Sequence, residues 1–450
     1  MATLHAAHWA TSLTPSSLPP GVLNAAARSF YNWVGCAVGG SSHPAVSIAR
    51  NSLSRFFGAP TSTLLGSEGL QVDAQHAALI NGIASHVHDY DDTHLETIIH
   101  PTAPVAAALL SIAQSLDRPV SGVEFLTALA AGIEIECRIG LAVWPSHYDV
   151  GWHITGSTGS IGAAVAVSRL MSLSPEKTAH AIGIAATQVT GLREMFGSHT
   201  KSFHPGRAAQ NGLLAAILAS DGYTSSMQAL EAKRGWVQVT SHDNRLEEQM
   251  ARLQAGDQWE LEKNTFKPFP CGIVKHPVID GCIWLHGELR KRGLPLEALN
   301  KIQVTVHPLV LELTGKTQPV DGLQAKFSVY HGGAVALIYG KVTPAQYEDA
   351  VVTDPDTIRM REKIVVTVAE TIRTDECQIV AELGAGDNTI VRHVDHAVGS
   401  LDAPMTDCQL MEKFTDQCIP ILGSEQTKKA SDWCWNIAAK DDIREIGRFL

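Results

Sequence analysis

The sequence predicts a mainly α protein with an α+β part. A large all-helical domain is formed by the N-terminal and C-terminal segments, and a smaller α+β lid domain with an antiparallel sheet is inserted between them. Three observations carry this expectation. Residues 20–265 are dominated by Ala/Leu/Ile-rich segments of helical period. Beyond about residue 265 the pattern changes to two-residue alternation, and helical signals return from Asp407 onward. At 450 residues the chain exceeds what one core usually organises, so two domains are expected: 1–265 with 404–450, and 266–403.

In chain order the helical segments are 21–38, 74–85, 103–115, 122–141, 158–171, 175–191, 207–220 and 226–233. Start signals support several of them: Ser121 before the fourth, Ser174-Pro175-Glu176 at the sixth, and Thr224-Ser225 before the last. Many are apolar nearly all round, with Gly and Ala permitting close approach, as expected of helices buried among other helices. The inserted part opens with a helix over 276–292. Alternating runs at 302–306, 363–368, 378–381 and 389–391 then read as strands, with a helix over 330–339 between them. Helices over 407–417, 425–437 and 440–448 complete the chain.

Bulk properties narrow the function. A net charge of −11 argues against a nucleic-acid binder, which needs basic stripes to neutralise phosphates. It leaves room for an anionic small substrate, because a local pocket can be positive on an acidic protein. The 8 cysteines contain no CxxC pair, so neither a structural zinc nor a disulfide framework is expected. The start Met1-Ala2-Thr3-Leu4-His5 lacks the features of a secretory signal, and the greasy runs at 103–113 and 125–135 are too short to span a bilayer. A cytoplasmic protein without membrane partners is the expectation.

Polar residues gather in five segments. The densest is Ser85-His86-Val87-His88-Asp89-Tyr90-Asp91-Asp92-Thr93-His94, followed by Glu96 and His100, in a chain that is only 18% charged. Burying such charges without partners is costly, and a solvated face would carry Lys and Glu rather than His and Tyr. The others are Gly151-Trp152-His153 with the small-residue run after it, Gly197 to Arg207, Lys267 to His276, and Lys326 to Gly333. Each has a bland reading as a capped loop or satisfied core; their joint occurrence suggests that they meet. His100 and His153 are the side chains best suited to move protons near neutral pH. Asp89 or Asp92 could orient an imidazole, while Lys201, Arg207 and Lys267 could hold substrate carboxylates. The set suits proton removal next to a carboxylate. A divalent metal on the Asp/His cluster is the alternative, but three adjacent carboxylates point in different directions, so no metal ligand is assigned. Neither a dinucleotide fingerprint nor a P-loop is present.

These motifs, in order along almost the whole chain, resemble the MmgE/PrpD family of 2-methylcitrate dehydratases, cis-aconitate decarboxylases and iminodisuccinate epimerases. The resemblance rests on His88-Asp89-Tyr90-Asp91-Asp92-Thr93-His94 with His100, Gly151-Trp152-His153, Gly191-Leu192, Lys201 to Gly212, Lys267-Pro268-Phe269-Pro270-Cys271 and Gln324 to Ser328. It implies a helical domain with a smaller lid, a homodimer, no required cofactor, and a site between the domains. That site carries over to Asp89, Thr93, His100, His153 and Lys201, with Lys267, Cys271 and His276 from the lid side. His204, Arg207, Tyr330 and His331 join them as substrate-binding candidates. In one departure, decarboxylase members look to have a tyrosine three residues after the serine matching Ser328, where this chain has His331. The spacing of Asp91, Asp92, His94, Glu96 and His100, by contrast, looks like fungal-type decarboxylases. The expected function is a cofactor-independent lyase, decarboxylase or dehydratase, acting on a small di- or tricarboxylate. An epimerase of the same family is the alternative, and a metal-dependent hydrolase a further one.

Overall fold

The computed structural model describes residues 1–256, 258–384 and 388–450. Two apolar cores organise it. One draws on residues from Ala2 to Phe266 and again from Met405 to Leu450, the other on residues from Phe269 to Val394. We propose that these are the two domains, 1–265 with 404–450 and 266–403.

The larger core is helical. Its principal helices are α1 (Ala2–Ser12), α2 (Pro20–Gly40), α3 (Ala74–His86), α4 (Thr102–Ser115), α5 (Gly122–Val143), α6 (Ile154–Leu170), α7 (Pro175–Ala186) and α8 (His199–Ser220). The smaller core contributes α9 (His276–Lys291) and α10 (Val329–Tyr339), and the chain ends with α11 (Asp407–Leu422) and α12 (Ser424–Trp435). Ser121 and Ser174 cap α5 and α7 as their positions suggested, accepting from the N–H groups of Glu124 and Lys177. The packing of α8 against α3 is set by two glycines: a Cβ on Gly82 would stand 2.5 Å from Gly206 Cα, and one on Gly206 would strike the Leu79 carbonyl oxygen.

Several boundaries differ from the sequence expectation. Helix α8 starts at His199 rather than 207 and carries Pro205 inside it, so the basic segment is helix, not loop. Helix α7 ends at Ala186 instead of 191, because the chain turns to bring Gly191 (φ +101°) beside His153, whose N–H donates to the Gly191 carbonyl at 3.1 Å. The expected helix 226–233 is a series of turns. Ser225 caps nothing; its hydroxyl donates to the His180 carbonyl at 3.0 Å and pins the segment to α7. Residues 440–448 form a 3-10 helix over Ile443–Arg448.

Two short strands, β1 (Asp92–His94) and β2 (Asn264–Phe266), pair antiparallel and fasten the acidic motif to the point where the chain leaves the larger core. The smaller core holds a four-stranded sheet of β3 (Leu299–Val306), β4 (Ile364–Val368), β5 (Cys377–Leu383) and β6 (Asn388–Val394), in the order β4-β3-β5-β6. The sheet is antiparallel, as expected, between β3 and β5 and between β5 and β6, while β3 and β4 run parallel, because the long connection between them carries helices that return the chain to the same end. Ile302, Val304 and Val306 are fully buried in the smaller core.

Candidate active site

The site lies where β1, the N-terminal end of α8, the N-terminus of α6 and the first residues of the smaller core converge. A small cavity there is bounded by Asp89, His100, His153, Lys201 and Lys267, with Tyr148, Ile98 and Phe196 from the larger core and Ile273, Val274, Leu313, Thr314 and Phe327 from the smaller one.

Asp89 follows the end of α3 with φ +52°, a backbone region that Asp tolerates better than most residues. One of its oxygens, Oδ1, accepts from Lys201 Nζ at 2.8 Å and from Lys267 Nζ at 2.9 Å. Burial pushes its carboxyl up, but Lys201 and Lys267, with His100 and His86, outweigh this and hold it well below the usual carboxylate range. One carboxylate oxygen thus faces two ammonium groups in a buried place. Lys201 also bonds His86 Nε2 at 2.9 Å, whose Nδ1 is 2.7 Å from Asp91 Oδ2.

Each imidazole on the cavity wall has one nitrogen engaged behind it. His100 Nδ1 donates to the Asp92 carbonyl at 2.8 Å and lies 3.2 Å from Thr93 Oγ1. That fixes the proton on Nδ1 and leaves the Nε2 lone pair, 3.8 Å from Asp89 Oδ1, available as a base. The His100 N–H donates to Thr155 Oγ1 at 3.0 Å, tying this segment to the turn that carries His153. His153 Nδ1 is 2.9 Å from His204 Nδ1. Burial lowers both wall histidines well below their ordinary value, reinforced by Lys267 at His100 and by Lys201 and His204 at His153. Both imidazoles are therefore neutral at pH 7. Their ring centroids are 6.4 Å apart.

The expected residues divide into three groups. Asp89, His100, His153, Lys201 and Lys267 meet at the cavity. Thr93 and His204 stand behind it, each bonded to a wall histidine. Five lie elsewhere. Arg207 is exposed on the outer face of α8 and donates to Gln210 at 2.6 Å. Cys271 is buried, and its carbonyl lies 3.3 Å from His276 Nε2, which places both beneath the wall. Tyr330 packs on the smaller core, and His331 Nε2 is 2.9 Å from the Gln346 carbonyl, so the family departure at 331 sits inside the lid and does not touch the cavity. Sequence reasoning did not single out Tyr148, Ile98, Phe196 or Leu313, which carry no spacing signal. From the last polar segment it chose Tyr330 and His331, whereas the residues at the domain contact are Phe327 and Lys326. Lys326 donates to the His88 carbonyl at 2.7 Å and to the Pro270 carbonyl at 3.1 Å.

Could the site hold a metal? Nitrogens of His86, His100 and His153 lie within 4.8 Å of one another. The Lys201 ammonium, however, occupies His86 Nε2, and Lys267 stands across Asp89. Two cations at the mouth of a three-histidine cluster repel a dication and attract an anion.

Comparison with known proteins shows which family the chain resembles. Residues 5–249 match the MmgE/PrpD N-terminal domain and residues 269–437 the MmgE/PrpD C-terminal domain. The chain is 25% identical to the cis-aconitate decarboxylase-like protein oryM of Aspergillus oryzae, over 99% of this chain and 96% of that protein. It is 25% identical to the cis-aconitate decarboxylase of Homo sapiens, over 87% and 82% respectively. With the 2-methylcitrate dehydratase of Escherichia coli the identity is 22%, over 68% and 65%. Among the described residues, no helix is long and apolar enough to cross a membrane.

Proposed function

This chain belongs to the MmgE/PrpD family and is a lyase of that type, and we propose that it acts without a cofactor on a small di- or tricarboxylate by histidine-mediated proton transfer next to a carboxylate. The observation that carries this reading is the pairing of two ammonium groups on one Asp89 oxygen beside two neutral imidazoles. A substrate carboxylate would lie against the ammonium groups of Lys201 and Lys267. When a proton or CO₂ leaves the adjacent carbon, negative charge grows on that carboxylate, and fixed cations in a dry site stabilise it without reorganising. His100 Nε2, with its lone pair exposed by the Asp92 carbonyl bond behind it, is the base on one side; His153 stands on the other. The relatives named for cis-aconitate decarboxylation and 2-methylcitrate dehydration favour decarboxylase or dehydratase.

An epimerase is the second reading, favoured by the two neutral imidazoles on the same cavity, since inversion needs bases on opposite faces of one carbon. A homodimer and a cytoplasmic location complete the proposal; light scattering of the purified protein tests the first. The deciding experiment incubates the enzyme with citrate, 2-methylcitrate, cis-aconitate and iminodisuccinate in heavy water, followed by NMR and with chelator in a parallel arm. A lyase forms an unsaturated or decarboxylated product; an epimerase incorporates deuterium without losing water or CO₂. If every compound stays unchanged and unexchanged, the proposal on these substrates fails. Loss of activity in the chelator arm alone would favour a metal-dependent hydrolase or lyase instead.

A further inference from the structure

Resting on the proton-transfer reading above, we propose that Tyr148 is the proton donor of this site and that Arg193 is the positioning residue that holds it. His100 presents a basic Nε2 to the cavity, so the electron pair left on the substrate receives its proton from another group. The candidates with an O–H on the wall are Tyr148 and Thr314, and the Thr314 hydroxyl is committed to the Val310 carbonyl at 2.6 Å. The ammonium groups of Lys201 and Lys267 are both held on Asp89 Oδ1, where their charge serves the substrate carboxylate. Tyr148 remains.

Its surroundings are built rather than incidental. Tyr148 lies in the short helix Ser146–Asp149, five residues before His153, and its side chain is buried. The Arg193 guanidinium covers its ring, 4.0 Å from the centroid, and donates from Nη1 to the Tyr148 carbonyl at 3.0 Å. The Arg193 N–H donates to the Gly151 carbonyl at 2.9 Å, which ties the segment carrying Arg193 to the segment carrying Tyr148 and His153. From the smaller core, Glu312 reaches Arg193 Nη2 at 3.4 Å. Burial pushes the phenol up to about 12, with Arg193 pulling it down and Asp89 adding to the rise. It is protonated at neutral pH and able to donate.

The proton balance closes for each chemistry. The Tyr148 O–H bond breaks and its proton goes to the carbanion carbon after CO₂ leaves, to the departing hydroxyl in dehydration, or to the opposite face of the carbon in epimerisation. The phenolate regains a proton from water in the first case and from the imidazolium formed on His100 or His153 in the others.

The test uses the full-length enzyme with whichever compound of the panel it converts. Tyr148→Phe should lower kcat by about a hundredfold with KM changed by less than about threefold. A 3,5-difluorotyrosine at position 148, which has a more acidic phenol, should bring an alkaline loss of kcat into the measurable range. Adding Arg193→Gln should move that loss to higher pH, and Arg193→Lys should restore it in part. A Tyr148→Phe enzyme within about twofold of the parent in kcat overturns the proposal, as does a fluorinated enzyme whose alkaline profile matches the parent. If the parent converts no compound, the functional reading fails, and the pairing is judged separately by fluorine NMR of the fluorinated protein. A phenol that titrates as the free amino acid does, and ignores Arg193→Gln, overturns the pairing; one that titrates higher and shifts further up with Arg193→Gln supports it.

Discussion

Asp89 is a buried carboxylate on a left-handed backbone, and both conditions are unfavourable by themselves, the backbone by about 1–3 kcal/mol. What holds it there is two lysines from distant parts of the chain, Lys201 on α8 and Lys267 just beyond β2, meeting on one oxygen. Removing the carboxylate leaves those ammonium groups buried and uncompensated. Asp89→Asn should therefore cost about 3–5 kcal/mol in urea unfolding, well beyond an ordinary polar substitution, and abolish turnover. A loss below about 1 kcal/mol would mean that the lysines do not depend on Asp89. Residues of this sort were legible in the sequence because charge and imidazole are rare in an apolar chain, so Asp89, His100, His153, Lys201 and Lys267 stood out by chemistry alone. Tyr148 and Phe196 were not legible, since an aromatic residue looks the same in a core as on a cavity wall. Arg207 misled for a related reason: its neighbours Lys201 and His204 point inward, but three further residues along the helix the side chain faces solvent.

At the scale of elements, the site depends on how closely α3 and α8 cross. Helix α3 delivers His86 and, just past its end, Asp89, while α8 delivers Lys201 and His204; the crossing is at Gly82 and Gly206. Gly206→Ala places a methyl group against the Leu79 backbone, which cannot yield without separating the helices. The expected stability loss is about 1–3 kcal/mol, as for overpacking elsewhere. Turnover should fall further than stability predicts, because the Lys201–Asp89 and Lys201–His86 distances open together. A variant that unfolds earlier yet keeps full activity at low temperature would show that the crossing does not set the site. Most helices of the larger core were legible because burial keeps their residues small and apolar along the whole length. Helix α1 and the helix Pro44–Leu53 were passed over, having mixed surfaces and no strong period. The parallel β3–β4 pair was unreadable for a different reason: alternation identifies a strand but says nothing about its direction, which is set by the helices between 307 and 363.

The whole molecule buries its chemistry, and the cavity measures about 40 Å³. On that measure one water needs roughly 10–15 Å³, so the space holds only a few waters beside the contact of Phe196 with Phe327, which stack at 5.7 Å. The same burial makes stability depend on pH in a way that follows from the histidines. His88, His100, His153 and His276 are all buried and all held well below their ordinary value, burial being the largest cause in each case. In the unfolded chain these imidazoles bind protons below about pH 6.5, whereas in the folded protein they stay neutral. The unfolded state therefore gains protons first as the pH falls, and the balance tilts toward unfolding. Stability contributed by these groups is complete above about pH 6.5 and declines as pH drops toward their folded values, by about 1.4 kcal/mol per pH unit for each histidine. Asp89 does not offset this, since its depressed value keeps it ionised and stabilising until far lower pH. The buried carboxyls of Glu134 and Asp92, pushed up by burial to about 7 and about 6, do offset part of it, because they take up protons in the folded protein over the same range. Urea unfolding at pH 7.5 and at pH 5.5 should show a histidine contribution lost over that interval, read by comparing the protein with a variant that lacks one of these imidazoles. His276, which lies beneath the cavity wall, provides the control: His276→Gln should be less stable at pH 7.5, yet lose less between the two pH values by one histidine's share. A His276→Gln variant that loses as much as the parent between pH 7.5 and 5.5 would mean that this imidazole titrates in the folded protein as it does in water.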